Sequence, residues 1–181
     1  MSKIVKDFAF FSGIYFENTF YINLYECGIN FTVITDEVRE QKIAIDRVNY
    51  VISECLSNSI IISAEEQDMI EKFDNAGMKL CIVPEEPYDQ IFGYVLLNKL
   101  NSVMEKRLEI DNMIFGSKLS DYIKFDLYKE EAEELFPNKE WYNKSDTSTR
   151  NLYKNKKDKI VKLHVPSDDW ENNGLGWKEK D

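Results

Sequence analysis

Between residues 29 and 106, short apolar runs alternate with stretches whose apolar residues recur every three or four positions. That alternation of strand-like and helix-like periods constrains the fold more than any other feature of the chain. Ile29-Asn30-Phe31-Thr32-Val33-Ile34 reads as a strand, and Thr35-Asp36-Glu37 as the start of a helix. Val38, Ile45, Val48, Val51, Ile52 and Cys55 then lie on one face of a helix reaching to about Leu56. Ser59-Ile60-Ile61-Ile62-Ser63 is wholly apolar at its centre, as strands inside a parallel sheet are.

The unit then repeats. Ser63-Ala64-Glu65-Glu66 caps a helix with Met69, Ile70 and Phe73 inward, and Asn75-Ala76-Gly77 ends it. Met78 to Val83 is the next strand, and Tyr88 to about Lys106 the next helix. Such an order predicts an α/β fold: a central mixed sheet with about three helices and right-handed crossovers.

Both flanks of this unit read as antiparallel. Phe8–Phe11 and Thr19–Tyr25 form an aromatic N-terminal hairpin with Asn18 near its turn, and Gly28 punctuates before the next strand. Residues 108–115 and 121–128 alternate apolar and polar, and Lys129–Leu135 is a short acidic helix ahead of Pro137. Beyond it Trp141, Tyr142, Tyr153, Trp170 and Trp177 are scattered among polar residues. The expected division is a single α/β domain over 1–137 and an irregular, aromatic, lysine-rich extension over 138–181. That extension either drapes over the domain or orders on a partner.

The chemistry is narrowed by what is missing. Among 181 residues there is one histidine, His164, and no serine or cysteine nucleophile motif accompanies it, so a surface role is expected. P-loop, G-x-G-x-x-G, H-E-x-x-H, G-x-S-x-G and EF-hand patterns do not occur. Cys27, Cys55 and Cys81 are far apart, which reads as reduced thiols in a cytosolic compartment. No apolar run approaches the ~20 residues of a membrane span. The aromatics Phe8, Phe10, Phe11, Phe16, Phe20, Tyr21 and Tyr25 alternate in an acidic chain, so core packing is a better reading than base stacking.

Charge is unevenly divided. Residues 138–181 hold ten basic and eight acidic side chains, which leaves thirteen basic and twenty-five acidic for 1–137. An acidic body of that kind repels nucleic acid. The exception is Arg150, Lys154, Lys156, Lys157, Lys159 and Lys162, opposed within 150–162 only by Asp158. These side chains suit phosphates or an acidic partner, or a loop that docks on its own acidic body. Lysine outnumbers arginine, which favours docking.

The most site-like stretch is Val83-Pro84-Glu85-Glu86-Pro87-Tyr88-Asp89-Gln90, at the carboxyl end of a strand where α/β sheets place ligand crevices. Asp36 and Glu37 follow one strand, and Glu65 and Glu66 another. Convergence of Asp36, Glu85, Glu86 and Asp89 would provide oxygen ligands for Mg²⁺ or Mn²⁺, with Tyr88 and Gln90 completing a crevice. The ordinary alternative is that these acids only cap helix N-termini.

Thr35-Asp36-Glu37-Val38, Asn75-Ala76-Gly77, the Val83–Gln90 stretch and Asn98-Lys99-Leu100-Asn101 together resemble small uncharacterised accessory proteins of tailed bacteriophages. The resemblance spans Thr35 to Arg107 and names no activity. It implies an accessory protein acting on a host factor in the host cytosol. Three functions stay open. The first is an acidic binding or regulatory protein for a basic host surface, or for its own kind, without a cofactor. The second is a Mg²⁺- or Mn²⁺-dependent hydrolase of nucleic acid or nucleotides. The third is a non-catalytic binder of a nucleotide-like ligand.

Overall fold

The computed structural model describes residues 3–137 and 140–150. Its strands are β1 (Lys3–Phe16), β2 (Thr19–Val33), β3 (Ile60–Ser63), β4 (Leu80–Val83), β5 (Leu108–Ser117) and β6 (Lys124–Tyr128). They form one sheet in the order β4-β3-β1-β2-β5-β6. β3 runs parallel to β1 and to β4, whereas β2, β5 and β6 join antiparallel. The mixed α/β sheet is as expected, and β1 is the seam between its two halves.

The N-terminal hairpin is longer than its sequence suggests. β1 and β2 pair continuously from Phe16–Thr19 to Lys3–Thr32. Gly28 therefore does not punctuate, and residues 29–33 are the second half of β2 rather than a separate strand. At Gly28 an added Cβ would lie 3.1 Å from Asp7 Oδ1, so the glycine leaves room for that carboxylate. Glu17 and Asn18 form the turn with φ of 49° and 59°, the left-handed pair that matches the twist of a two-residue hairpin.

Among the described residues there are four α-helices: α1 (Val38–Tyr50), α2 (Gln67–Asn75), α3 (Asp89–Met104) and α4 (Lys129–Leu135). The count exceeds three because the short acidic helix forms as a full element. α1 continues as a π-helical turn, Val51–Leu56. α3 is buried almost all round, from Phe92 to Leu100. It packs tightly on the sheet because Gly93 has no side chain, and a Cβ there would lie 2.9 Å from the Phe115 ring.

α1, α3 and the segment around Trp141 cover one face of the sheet. Phe10, Tyr25, Phe92 and Phe115 meet there, with Tyr25 5.3, 5.2 and 5.7 Å from the other three ring centres. The core-packing reading holds for Phe10 and Tyr25, whereas Phe11 and Phe20 are exposed on the opposite face and Tyr21 is exposed near the hairpin turn. α2 covers part of that second face, where Met69, Ile70 and Phe73 pack on Tyr15, Ile60, Ile62, Leu80 and Ile82.

Residues 140–150 return to the body. Trp141 and Tyr142 are buried in the main core. The Trp141 indole N–H donates to Ile82 O at 2.7 Å, and the Ile82 N–H donates to Thr149 O at 2.9 Å. These bonds close the outer edge of β4, which would otherwise template another strand. Packing thus continues past Pro137. All three cysteines are free and buried, and among the described residues no helix is long and apolar enough to cross a membrane.

Candidate functional site

Strand direction decides which carboxylates meet. Lys3 pairs with Thr32, while Tyr15 at the other end of β1 pairs with Ile62, which pairs with Ile82. The exit of β2, where Asp36 stands, therefore lies at the opposite end of the sheet from the exits of β3 and β4. Counted along β1 from Lys3 to Tyr15, the separation is about 40 Å at ~3.3 Å per residue. Mg²⁺ and Mn²⁺ need oxygens at ~2.0–2.6 Å, so Asp36 cannot share an ion with Glu85, Glu86 or Asp89. The four-carboxylate metal site is corrected on this ground. Its premise was that residues 29–34 run parallel to β3 and β4, and β2 runs antiparallel to them.

Asp89 is also committed elsewhere. Its two carboxylate oxygens accept the hydroxyls of Ser117 at 2.9 Å and Ser120 at 2.5 Å, tying the first turn of α3 to the connection after β5. Tyr88 sets its ring edge-on to Phe16 at 5.0 Å. Gln90 is exposed beside Tyr94, whose hydroxyl donates to Glu131. Tyr88, Asp89 and Gln90 thus serve local structure.

A different acidic group forms at this end. Glu17 from the hairpin turn, Glu65 and Glu66 after β3, and Glu86 after β4 are brought together by the common exit of the strands. The Glu86 carboxyl is held above its ordinary value, first by burial and then by Glu66, Glu65 and Glu17. Sequence reading had Glu65, Glu66 and Glu86 but missed Glu17. Its signal was the hairpin itself, since a two-residue turn between paired strands must project at a sheet end. Among the described residues no group of three or more His, Cys, Asp or Glu is placed to hold a metal ion.

A cleft of about 680 Å³ opens at the C-terminal half of α3, lined among others by Asn98, Asn101, Glu105, Glu109, Lys129 and Glu133. Most of its polar groups already hold backbone. Asn101 donates to Ile110 O at 3.0 Å and accepts the Ile110 N–H at 2.8 Å. Asn98 donates to Ala132 O at 3.0 Å, and Lys129 pairs with Glu109. Of the basic patch only Arg150 is described, paired with Asp74 at 2.6 Å on α2. Lys154, Lys156, Lys157, Lys159 and Lys162, like His164, lie outside the described residues.

No protein-family model matches the chain, and no curated protein matches it. Among solved structures it is similar to uncharacterized protein WS1659 from Wolinella succinogenes, at 12% identity and a TM-score of 0.50. That match covers 70% of this chain and 97% of the other. At such identity the likeness concerns the fold alone.

Proposed function

We propose that the chain is a binding or regulatory protein that takes a basic surface of another protein against its acidic body. One observation carries this reading. Glu17, Glu65, Glu66 and Glu86 are gathered from three connections at one sheet end, and Glu86 is pushed up by burial and by the others. Like charges held together destabilise a fold, and a positive partner relieves them while being steered toward them. The resemblance of residues 35–107 to small phage proteins supports a partner from a bacterial host.

The test is affinity capture from host lysate by the immobilised full chain, with a Glu65→Lys/Glu66→Lys/Glu86→Lys variant in parallel. The expected result is a defined set of proteins that elutes as salt rises through ~0.1–0.5 M, where exposed charges are screened, and that the variant does not retain. Equal capture by the variant overturns the reading.

A further inference from the structure

Among the described residues, the sheet's second face is covered only over β3 and β4, by α2. Over β1, β2, β5 and β6 no described residue covers it, and its apolar side chains are exposed: Val5 69%, Phe11 58%, Ile22 74% and Ile114 42%. Layered domains bury both faces of a sheet that is apolar on both. Several large apolar side chains left open on one sheet face, interleaved with charges, suit an interaction surface. Beside it, Phe11, Gly13, Phe20, Ile22, Ile60 and Met78 line a recess of about 430 Å³.

The charges on this face lean acidic, with Lys3 the exception on the same side of β1 as Val5 and Asp7. Glu26 is paired with Lys124 at 2.8 Å. Asp7 lies over Gly28 and Asp126 stands opposite Ile114, and among the described residues neither forms an ion pair. Asp126 is nevertheless fixed in place. Asn30 donates to Asn112 at 3.2 Å, Asn112 donates to one Asp126 oxygen at 3.0 Å, and the Tyr128 hydroxyl donates to the other at 2.9 Å. Side chains from β2, β5 and β6 thus hold a carboxylate ready, at little further ordering cost on binding.

We propose that this face docks a basic amphipathic helix of the partner protein. Its apolar stripe lies over Val5, Phe11, Ile22 and Ile114, and its lysines or arginines reach Asp7 and Asp126. Val5 and Phe11, on the same face of β1, are about 20 Å apart, the length of roughly four helical turns. The helix supplies the missing layer in the way that α2 supplies it over β3 and β4. An anionic lipid surface is disfavoured by the same carboxylates. This inference rests on the reading of the chain as a binder of basic protein surfaces, and it adds where the partner sits and what it presents.

The experiment titrates the isotopically labelled full chain with a roughly 18-residue Leu/Lys amphipathic helical peptide and with its Leu/Glu counterpart, followed by amide shifts. The expected result is that the Leu/Lys peptide moves Val5, Ile22 and Ile114. Val5→Ser/Ile22→Ser is expected to weaken it by about tenfold or more, as loss of an interface anchor does. Both residues are so exposed that folding is not at stake, and a matching melt confirms that.

Several outcomes overturn the inference. If shifts gather at Glu17, Glu65 and Glu66, and Glu65→Lys/Glu66→Lys abolishes binding while Val5→Ser/Ile22→Ser does not, the docking face is wrong and the acidic reading survives. Absence of Leu/Lys binding, or equal binding of Leu/Glu, sinks both. A dimer in analytical ultracentrifugation that Val5→Ser/Ile22→Ser dissociates gives the face to a second copy. Cross-peaks from residues 151–181 to Val5 or Ile22 give it to the chain's own end.

Discussion

The Lys99 ammonium, buried in α3, donates a 3.0 Å hydrogen bond to the backbone carbonyl of Trp141 and lies 5.5 Å from that residue's ring centre. It also donates to Lys144 O at 3.0 Å and Asp146 O at 2.6 Å, with the Asp146 carboxylate at 3.4 Å. One side chain thus gathers three carbonyls of the segment that closes β4.

Replacing this donor should loosen that segment. Lys99→Met keeps the length of the side chain and leaves the three carbonyls without their shared partner, at a cost of about 2–4 kcal/mol. Urea denaturation gives the magnitude, and near-ultraviolet circular dichroism follows the fixed environment of Trp141. An unchanged urea midpoint would mean that the clip contributes nothing.

Alkaline pH should act in two opposed stages. Burial lowers Lys99 to about 8 from 10.5, against Asp146. Between those values the unfolded chain holds a proton that the folded chain has released, so this group makes stability rise with pH. Burial raises Cys55 to about 11 and Cys27 to about 12 from 9.0, and also raises Cys81. Above 9 the folded chain keeps protons that the unfolded chain loses, so these groups make stability fall. The urea midpoint is expected to peak at about pH 9 and to drop by about pH 11. A steady decline from pH 7.5 would contradict the Lys99 contribution.

Gly93→Ala should destabilise, although alanine favours a helix by ~1 kcal/mol. The new methyl would collide with Leu127 Cδ1 and sit 2.9 Å from Phe115 Cδ1. Leu127 can turn aside, but Phe115 is wedged against Tyr25 and Phe92. Overpacking of this kind costs ~1–3 kcal/mol, so a net loss of about 1 kcal/mol is expected in thermal melts.

The hairpin turn separates stability from binding. Glu17 and Asn18 both adopt positive φ, where Asn-Gly is the favoured pair. Glu17→Asn/Asn18→Gly should raise stability by about 1 kcal/mol in denaturant titrations. It also removes one of the carboxylates gathered at the sheet end, so retention of basic proteins in the capture assay should weaken. A variant that is both more stable and fully retentive would exclude Glu17 from the binding surface.

Much of the fold was legible locally. β3 and β4 announce themselves as apolar runs, and α1 to α3 by the spacing of their apolar residues, because each faces a wall of core. Gly28 misled because glycine usually marks a turn. Here it sits inside a strand to accommodate Asp7, a neighbour across the hairpin that local pattern cannot show. The direction of β2 was equally hidden, since an antiparallel and a parallel strand can share one apolar pattern, and Asp36 was misplaced with it. Trp141 and Tyr142 stand among lysines and asparagines, so no local pattern announces their burial, and the partners of Trp141 include Lys99, 42 residues away. The exposed face had left a trace: Phe8-Ala9-Phe10-Phe11 is apolar on both sides of β1, and no described residue covers one of those sides.

The closure of β4 sets an order of events on the ribosome. Trp141 caps Ile82 across 59 residues of chain. During synthesis the edge therefore waits unpaired while α3, β5, β6 and α4 are still being made, at a pace of ~5–20 residues per second. For those seconds the nascent chain presents a strand edge that the finished protein hides. It is then that a chaperone, or a neighbouring nascent copy, has its opening.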